Sequence, residues 1–282
     1  MNPPRPHLPQ RPFASLYIHV PFCHRKCDYC AFYSEVGTRP ELQKQWLDKI
    51  IADLRRQAPS AAPLRSLFVG GGTPTTLPAT LFSRLFSAIR SLFPLQADAE
   101  ITVEANPDTL DAEQMAALAA GGCTRISLGV QSFHAKHRRT LGRHACPDQL
   151  GNLLEQLRQH GIRRHSLDLI YAIPGQTFDD WQQDLRTALA LGISHLSAYA
   201  LTVEEGTRLA KAGIQPVDDE LQVAMWEATA VEAARHGLQR YEISNYAAPG
   251  QECRHNLDIW YGGTYLGVGP AAASFDGDER WT

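Results

Sequence analysis

Residues 17–30 read YIHVPFCHRKCDYC. A short β-rich run, Ser15 to Val20, leads directly into Cys23, Cys27 and Cys30, spaced by three residues and then two. The cysteines therefore sit in a loop at the C-terminal end of a strand. Open α/β sheets and α/β barrels carry their chemistry at that end. Three thiolates crowded into eight residues need compensating positive charge, which a metal centre supplies. Three readings stand at this point. The spacing i, i+4, i+7 also fits one face of a helix. A structural zinc site would need a fourth ligand, from His24 or a distant residue. An iron–sulfur cluster on three cysteines would leave one iron without a protein ligand, open to chelate a small molecule.

Outward from this loop the chain alternates strand and helix. Apolar spacing predicts helices over Pro40–Arg56, Pro78–Phe93, Asp111–Ala120, Pro147–His160 and Phe178–Leu191. Between them lie β-rich runs at Ser66–Val69, Glu100–Glu104, Arg125–Val130, Ser166–Tyr171 and His195–Leu201, which makes six with the first. Such connections place parallel strands in one sheet through right-handed crossovers. Several runs read as apolar throughout, as expected when both sheet faces are covered. Six units are fewer than the eight of a closed barrel, so the expectation is an α/β fold with an open, partial (β/α)6 barrel. After Glu204 the pattern changes to one long helix, Asp218–His236, and a Tyr- and Gly-rich segment from Leu238 to Phe275. The organisation expected is a flexible leader (1–14), the barrel (15–204) and a C-terminal α+β extension (205–282). That extension reads as truncated, because the polar DGDER turn leads to no finishing helix or strand.

The chain has 282 residues, 44% hydrophobic and 20% charged, with a formal net charge of −3. That is enough to bury one large core, and it excludes extensive disorder. Without a basic field, no nucleic-acid partner is expected. No run of about 18 apolar residues marks a membrane helix. The leader is rich in Pro and Arg and has no apolar stretch of a signal peptide, so the expected compartment is the cytoplasm, where thiols stay reduced. Cys123, Cys146 and Cys253 are scattered and read as non-ligands.

Further blocks lie at the predicted strand ends: GGGTPT (70–75), EANPDT (104–109), RISLGVQSF (125–133), LGRHA (141–145, with His144) and DLIYAIPGQT (168–177). Together with the cysteine loop they resemble the radical S-adenosylmethionine (SAM) superfamily. More finely, they resemble its branch of coproporphyrinogen dehydrogenases and haem chaperones, HemN and HemW. HNLDIWY (255–261) belongs more to the HemW side. The resemblance runs from about Ser15 to Phe275. It implies a TIM-like radical SAM partial barrel and a [4Fe–4S] cluster on Cys23, Cys27 and Cys30. The open iron of that cluster would chelate SAM, whose cleavage needs a dry pocket.

The resemblance also implies roles for single residues. Tyr29 would pack on the adenine and Tyr17 would lie near SAM on the first strand. Gly71, with Gly72 and Thr73, would meet the methionine part. The absence of Cβ atoms lets backbone approach a ligand there. Glu104 and Asp168 would accept from ribose hydroxyls, Arg143 would pair with the SAM carboxylate and Gln131 would bridge polar groups. Ala200 would add a backbone contact. His19 would pack or orient the loop.

Haem enters through His255, the first residue of the HNLDIWY block. Here Ile259 stands where that block usually carries Tyr, and GVGPAAAS departs from the usual GxGxGA. The implied partners are haem, haem-accepting proteins and an electron donor for the cluster, with peripheral membrane association left open. Two functions follow: a haem chaperone carrying a cluster and SAM, or a radical SAM coproporphyrinogen III dehydrogenase. The second class carries a fourth cysteine two residues after the third, where this chain has Phe32, and a longer N-terminal extension. Whether SAM cleavage serves a reaction stays open. A zinc-bearing module would leave GGGTPT and the acidic strand ends unexplained.

Overall fold

Side-chain alternation decides how the sheet is used. In the computed structural model, which describes residues 11–37, 39–143 and 147–282, six strands run parallel in chain order. They are β1 (Phe13–Val20), β2 (Ala61–Gly71), β3 (Leu95–Ala105), β4 (Arg125–Gln131), β5 (Arg164–Tyr171) and β6 (His195–Ala200). The first ten residues of the expected leader, together with His144 and Cys146, lie outside the described residues. Every one of the six strands alternates. Leu16, Ile18, Leu67, Val69, Ile101, Val103, Ile126, Leu128, Leu167, Leu169 and Leu196 point one way, into the core shared with the helices. Each is worth about 1.5–3 kcal/mol once buried. Tyr17, Phe68, Glu104, Arg125, Ser127, Asp168, Ser197 and Tyr199 point the other way and line cavities. This corrects the expectation of strands apolar throughout. Both faces are covered, but the inner one surrounds polar space, whereas a filled barrel interior is dominated by Val, Ile and Leu.

The helices start where local chemistry lets them. The main crossovers are α1 (Pro40–Gln57), α2 (Ala79–Leu92), α3 (Ala112–Ala120), α5 (Leu150–Gln159) and α6 (Phe178–Leu189), with a short α4 (Ala135–Thr140) after β4. Pro40 opens α1, where its missing N–H costs nothing. Asp111 with Gln114, and Thr177 with Asp180, form reciprocal capping boxes on α3 and α6. The segment expected to be helical from Pro147 begins as a 3-10 turn (Pro147–Gln149) and becomes α-helix at Leu150.

Residues after Glu204 join the same sheet at both edges. The helices α7 (Arg208–Lys211) and α8 (Asp219–Arg235, capped by Asp218) are followed by β7 (Gln239–Arg240) and β8 (Asn245–Ala247). β8 pairs antiparallel with β6. Helix α9 (Arg254–Trp260) packs across the sheet against β2, and β9 (Tyr265–Val268) lies parallel beside β1. The DGDER turn is not a structureless stop: it links β10 (Ser274–Phe275) to β11 (Arg280–Trp281) as an antiparallel pair. Among the described residues no helix is long and apolar enough to cross a membrane.

Candidate cofactor site

The cysteine loop is fastened at several points. Phe22–Cys23 pairs with Glu35–Val36 in a two-residue parallel bridge. The Asp28 N–H donates to the Leu141 carbonyl and the Leu209 N–H to that of Asp28, both at 3.0 Å. His19 Nε2 shares a hydrogen bond of 3.0 Å with the Tyr33 carbonyl, so this histidine ties β1 to the loop. A small apolar cluster of Leu141, Ile170, Ile173, Leu201 and Leu209 packs beneath Tyr29.

The three thiols face one cavity of about 520 Å³ at the C-terminal rim of the sheet. Thr73 Oγ1 lies 3.7 Å from Cys23 Sγ, and Arg143 Nη1 lies 3.7 Å from Cys27 Sγ. Burial pushes the Cys23 and Cys30 thiols up, and the charge of Cys27 adds to it. Thiols raised in this way ionise readily only beside a strong positive charge, which a bound iron–sulfur cluster provides. Among the described residues no three His, Cys, Asp or Glu side chains are grouped to hold a single metal ion. A cube-shaped cluster takes its ligands at separate corners rather than around one centre.

The glycine run fits the same cavity. A Cβ on Gly72 would meet the Phe22 carbonyl oxygen at 2.7 Å and Cys23 Sγ at 3.0 Å. Gly71 has φ +111° and donates its N–H to Glu104 Oε2 at 3.0 Å. Both positions require glycine, one for close approach and one for its backbone. Gln131 is held at φ +69° beside a β-bulge, a strained conformation that costs about 1–3 kcal/mol and concentrates at ligand sites. Arg143 is fixed by Asn106 Oδ1 at 2.7 Å and by the Gly129 carbonyl. Its Nε is buried with no partner. The guanidinium of Arg143 lines the cavity, and a ligand carboxylate would pair with its charge there.

Two carboxyls separate this cavity from a second one. Burial, with Asp168 adding to it, raises Glu104 to about 7 against the pull of the Gly71 N–H. Glu104 is half-buried because it borders both cavities. Burial also raises Asp168, while Arg125 and three serines oppose the shift. Ser127 Oγ donates to it at 3.0 Å.

Of the residues expected at the site, Cys23, Cys27, Cys30, Tyr29, Gly71, Gly72, Thr73, Glu104, Gln131, Arg143, Asp168 and Ala200 line the first cavity. Tyr17 and His255 do not. They line the second cavity, on the same face of the sheet, which shares Glu104, Ser127, Asp168 and Tyr199 with the first. His255 is 3% exposed, shares a 2.8 Å hydrogen bond with Ser66 Oγ and lies 5.1 Å from the Phe68 ring. Burial lowers it to about 4 and keeps it neutral. The exposed end of the same block is Trp260 and Tyr261, 47% and 84% accessible. Sequence reading missed Asn106, Ser127 and Arg125, although the alternation of polar and apolar residues along β4 marks Arg125 and Ser127.

The chain matches the model of the radical SAM superfamily over residues 17–188. The heme chaperone HemW of Mycobacterium tuberculosis is 36% identical over 285 residues, covering 97% of this chain and 72% of the relative. That of Escherichia coli is 37% identical over 264 residues, covering 93% and 70%. Among solved structures, the coproporphyrinogen III oxidase HemN from Escherichia coli superposes with a TM-score of 0.84 at 28% identity. That match covers 96% of this chain and 66% of the other. SuiB of Streptococcus suis, at TM-score 0.55 and 19% identity, shares the fold alone.

Proposed function

Because the chain belongs to the radical SAM superfamily and, within it, to the HemW family, we propose that it is a haem chaperone that carries a [4Fe–4S] cluster and SAM. The observation that carries this reading is the convergence of three cysteine thiols, a glycine pair with no room for side chains and the guanidinium of Arg143 in one cavity. Such a cluster, when bound, supplies one-electron chemistry and an iron with a vacant coordination position. The protein's part is to hold and orient. Cys23, Cys27 and Cys30 are the ligands in this reading, and Arg143 offers a charged donor to a carboxylate. Glu104 and Asp168 accept hydroxyl hydrogens. Tyr29, packed on its apolar cluster, closes one side against water. Haem and a haem-accepting protein are the partners, with Trp260 and Tyr261 as the accessible part of the HNLDIWY block. An electron donor would approach the exposed cysteine loop. The described cysteines are all free thiols, which supports a cytoplasmic setting.

Phe32 weighs against porphyrinogen oxidation. It is 69% exposed and offers no sulfur where coproporphyrinogen dehydrogenases carry a fourth cysteine. The test is anaerobic reconstitution with iron and sulfide, followed by titration with haem. The wild-type chain should gain broad charge-transfer absorption in the blue. The triple variant Cys23→Ala, Cys27→Ala, Cys30→Ala should lose that band and still take up haem. Iron retained by the triple variant would overturn the ligand assignment. Conversion of coproporphyrinogen III in the presence of SAM and a reductant would overturn the carrier reading.

A further inference from the structure

Asp184 lies on α6, lines neither cavity and has no exposed surface. A carboxyl so placed is costly unless it is hydrogen-bonded. Two donors reach it, both from the turn between β4 and α4: Ser132 Oγ at 2.7 Å and the Phe133 N–H at 2.6 Å. Burial raises Asp184, and these two bonds work against the rise. The turn that they hold is strained. The Ser132 N–H donates back to the Val130 carbonyl at 2.9 Å, which closes three residues around Gln131 at φ +69°. A γ-turn with positive φ at its centre is rare, and such a backbone persists only where its surroundings over-determine it. Arg138 grips the same turn from α4. Its Nη1 donates to the Ser132 carbonyl at 3.1 Å, and its own carbonyl takes the Arg143 N–H at 2.8 Å.

The strained residue is one that the cavity uses. The β-bulge sets Gln131 opposite Leu169, whose side chain is packed in the core shared with the helices. Register alone would send Gln131 to that side as well, yet its side chain lines the cysteine cavity. There its amide lies beside the Arg143 guanidinium: a Cβ on Gly129 would meet Gln131 Nε2 at 2.9 Å and Arg143 Nη2 at 3.1 Å.

We propose that Asp184 is a positioning residue for the cofactor cavity: from outside it, through Ser132 and Phe133, it holds Gln131 in the turn that presents its amide beside Arg143. This role rests on the reading of that cavity as the SAM site, where the amide is one of the polar contacts offered to the ligand.

The test uses the full 282-residue chain with its cluster reconstituted anaerobically, and SAM itself as the probe in equilibrium binding. Asp184→Asn keeps the shape and one acceptor oxygen but puts a donor in place of the other. It should retain the blue absorption of the cluster and weaken SAM binding at least about fivefold. Gln131→Ala removes the amide and should also weaken binding. In that background Asp184→Asn should cost no further affinity, because it acts through Gln131. A general structural defect would instead add its cost to that of Gln131→Ala. Additive losses, or an Asp184→Asn protein that binds SAM as tightly as the wild-type chain, would overturn the proposal. If Asp184→Asn does not fold, Ser132→Ala, which removes one of the two bonds, goes through the same cycle with the same two outcomes. Failure of the wild-type chain to bind SAM would overturn the cofactor reading and this role with it, whereas additivity in a chain that does bind SAM overturns the role of Asp184 alone.

Discussion

Glu104 and His255 face the same chamber and titrate in opposite senses. Burial raises Glu104 from the ordinary 4.5 to about 7, so the folded state holds its proton more firmly than the unfolded chain. The stability this contributes is complete below pH 4.5 and is lost as pH rises through 7. Burial lowers His255 from 6.5 to about 4, so its contribution is complete above pH 6.5 and is lost as pH falls toward 4. Between pH 4.5 and 6.5 the two slopes oppose each other. His19, His165 and His195 are lowered too, His195 well below its ordinary value, so the net trend is loss of stability in acid. Glu104→Gln should steepen that acid loss and raise stability at pH 8, by about 2 kcal/mol relative to pH 5. His255→Gln should make the loss between pH 7 and pH 5 shallower by a similar amount. Urea unfolding at the two pH values measures both, and parallel curves for all three proteins would refute the assignment.

At the scale of elements, two capping boxes set helix starts that apolar spacing leaves loose. Asp111 accepts the Gln114 N–H at 2.9 Å while the Gln114 side chain returns to the Asp111 N–H at 3.0 Å. Gln114 Nε2 also donates to the Thr75 carbonyl at 2.6 Å, so the cap of α3 is tied to the segment that follows the glycine run. Asp111→Ala should cost about 1 kcal/mol, read as a shift of the denaturation midpoint at constant slope. The bounds of α1 and α2 were readable to within a residue because their apolar stripes are regular. The Pro147 segment was not, since a proline fits a 3-10 turn and an α-helical first turn equally well.

For the molecule as a whole, the residues after Glu204 are part of the barrel rather than an appendage. β9 covers the edge of β1, and Thr264 Oγ1 donates to the Pro12 carbonyl at 2.7 Å across that seam. Helix α9 gives its His255 N–H to Glu100 and shares a hydrogen bond with Ser66. A chain ending at Glu204 would expose both sheet edges and leave Glu100 and Ser66 short of partners. It should associate or fail to unfold cooperatively, whereas the full chain should give one cooperative transition. Size-exclusion chromatography and thermal unfolding decide this. A monomeric, cooperatively folding 1–204 piece would show that the later strands are dispensable.

The cysteine spacing, the glycine run and the strand–helix rhythm are local patterns, so the cluster loop and the parallel order of six strands could be read directly from the chain. The inward polar residues stand in the chain as an alternation that a reading of apolar runs passes over, because which face surrounds polar space is a property of the folded sheet. The separation of Tyr17 and His255 from the cysteine cavity and the pairing of Tyr265 with Ser15 join residues far apart in the chain. No local preference encodes such contacts; they exist only once helices and strands have packed and enclosed a polar space between them.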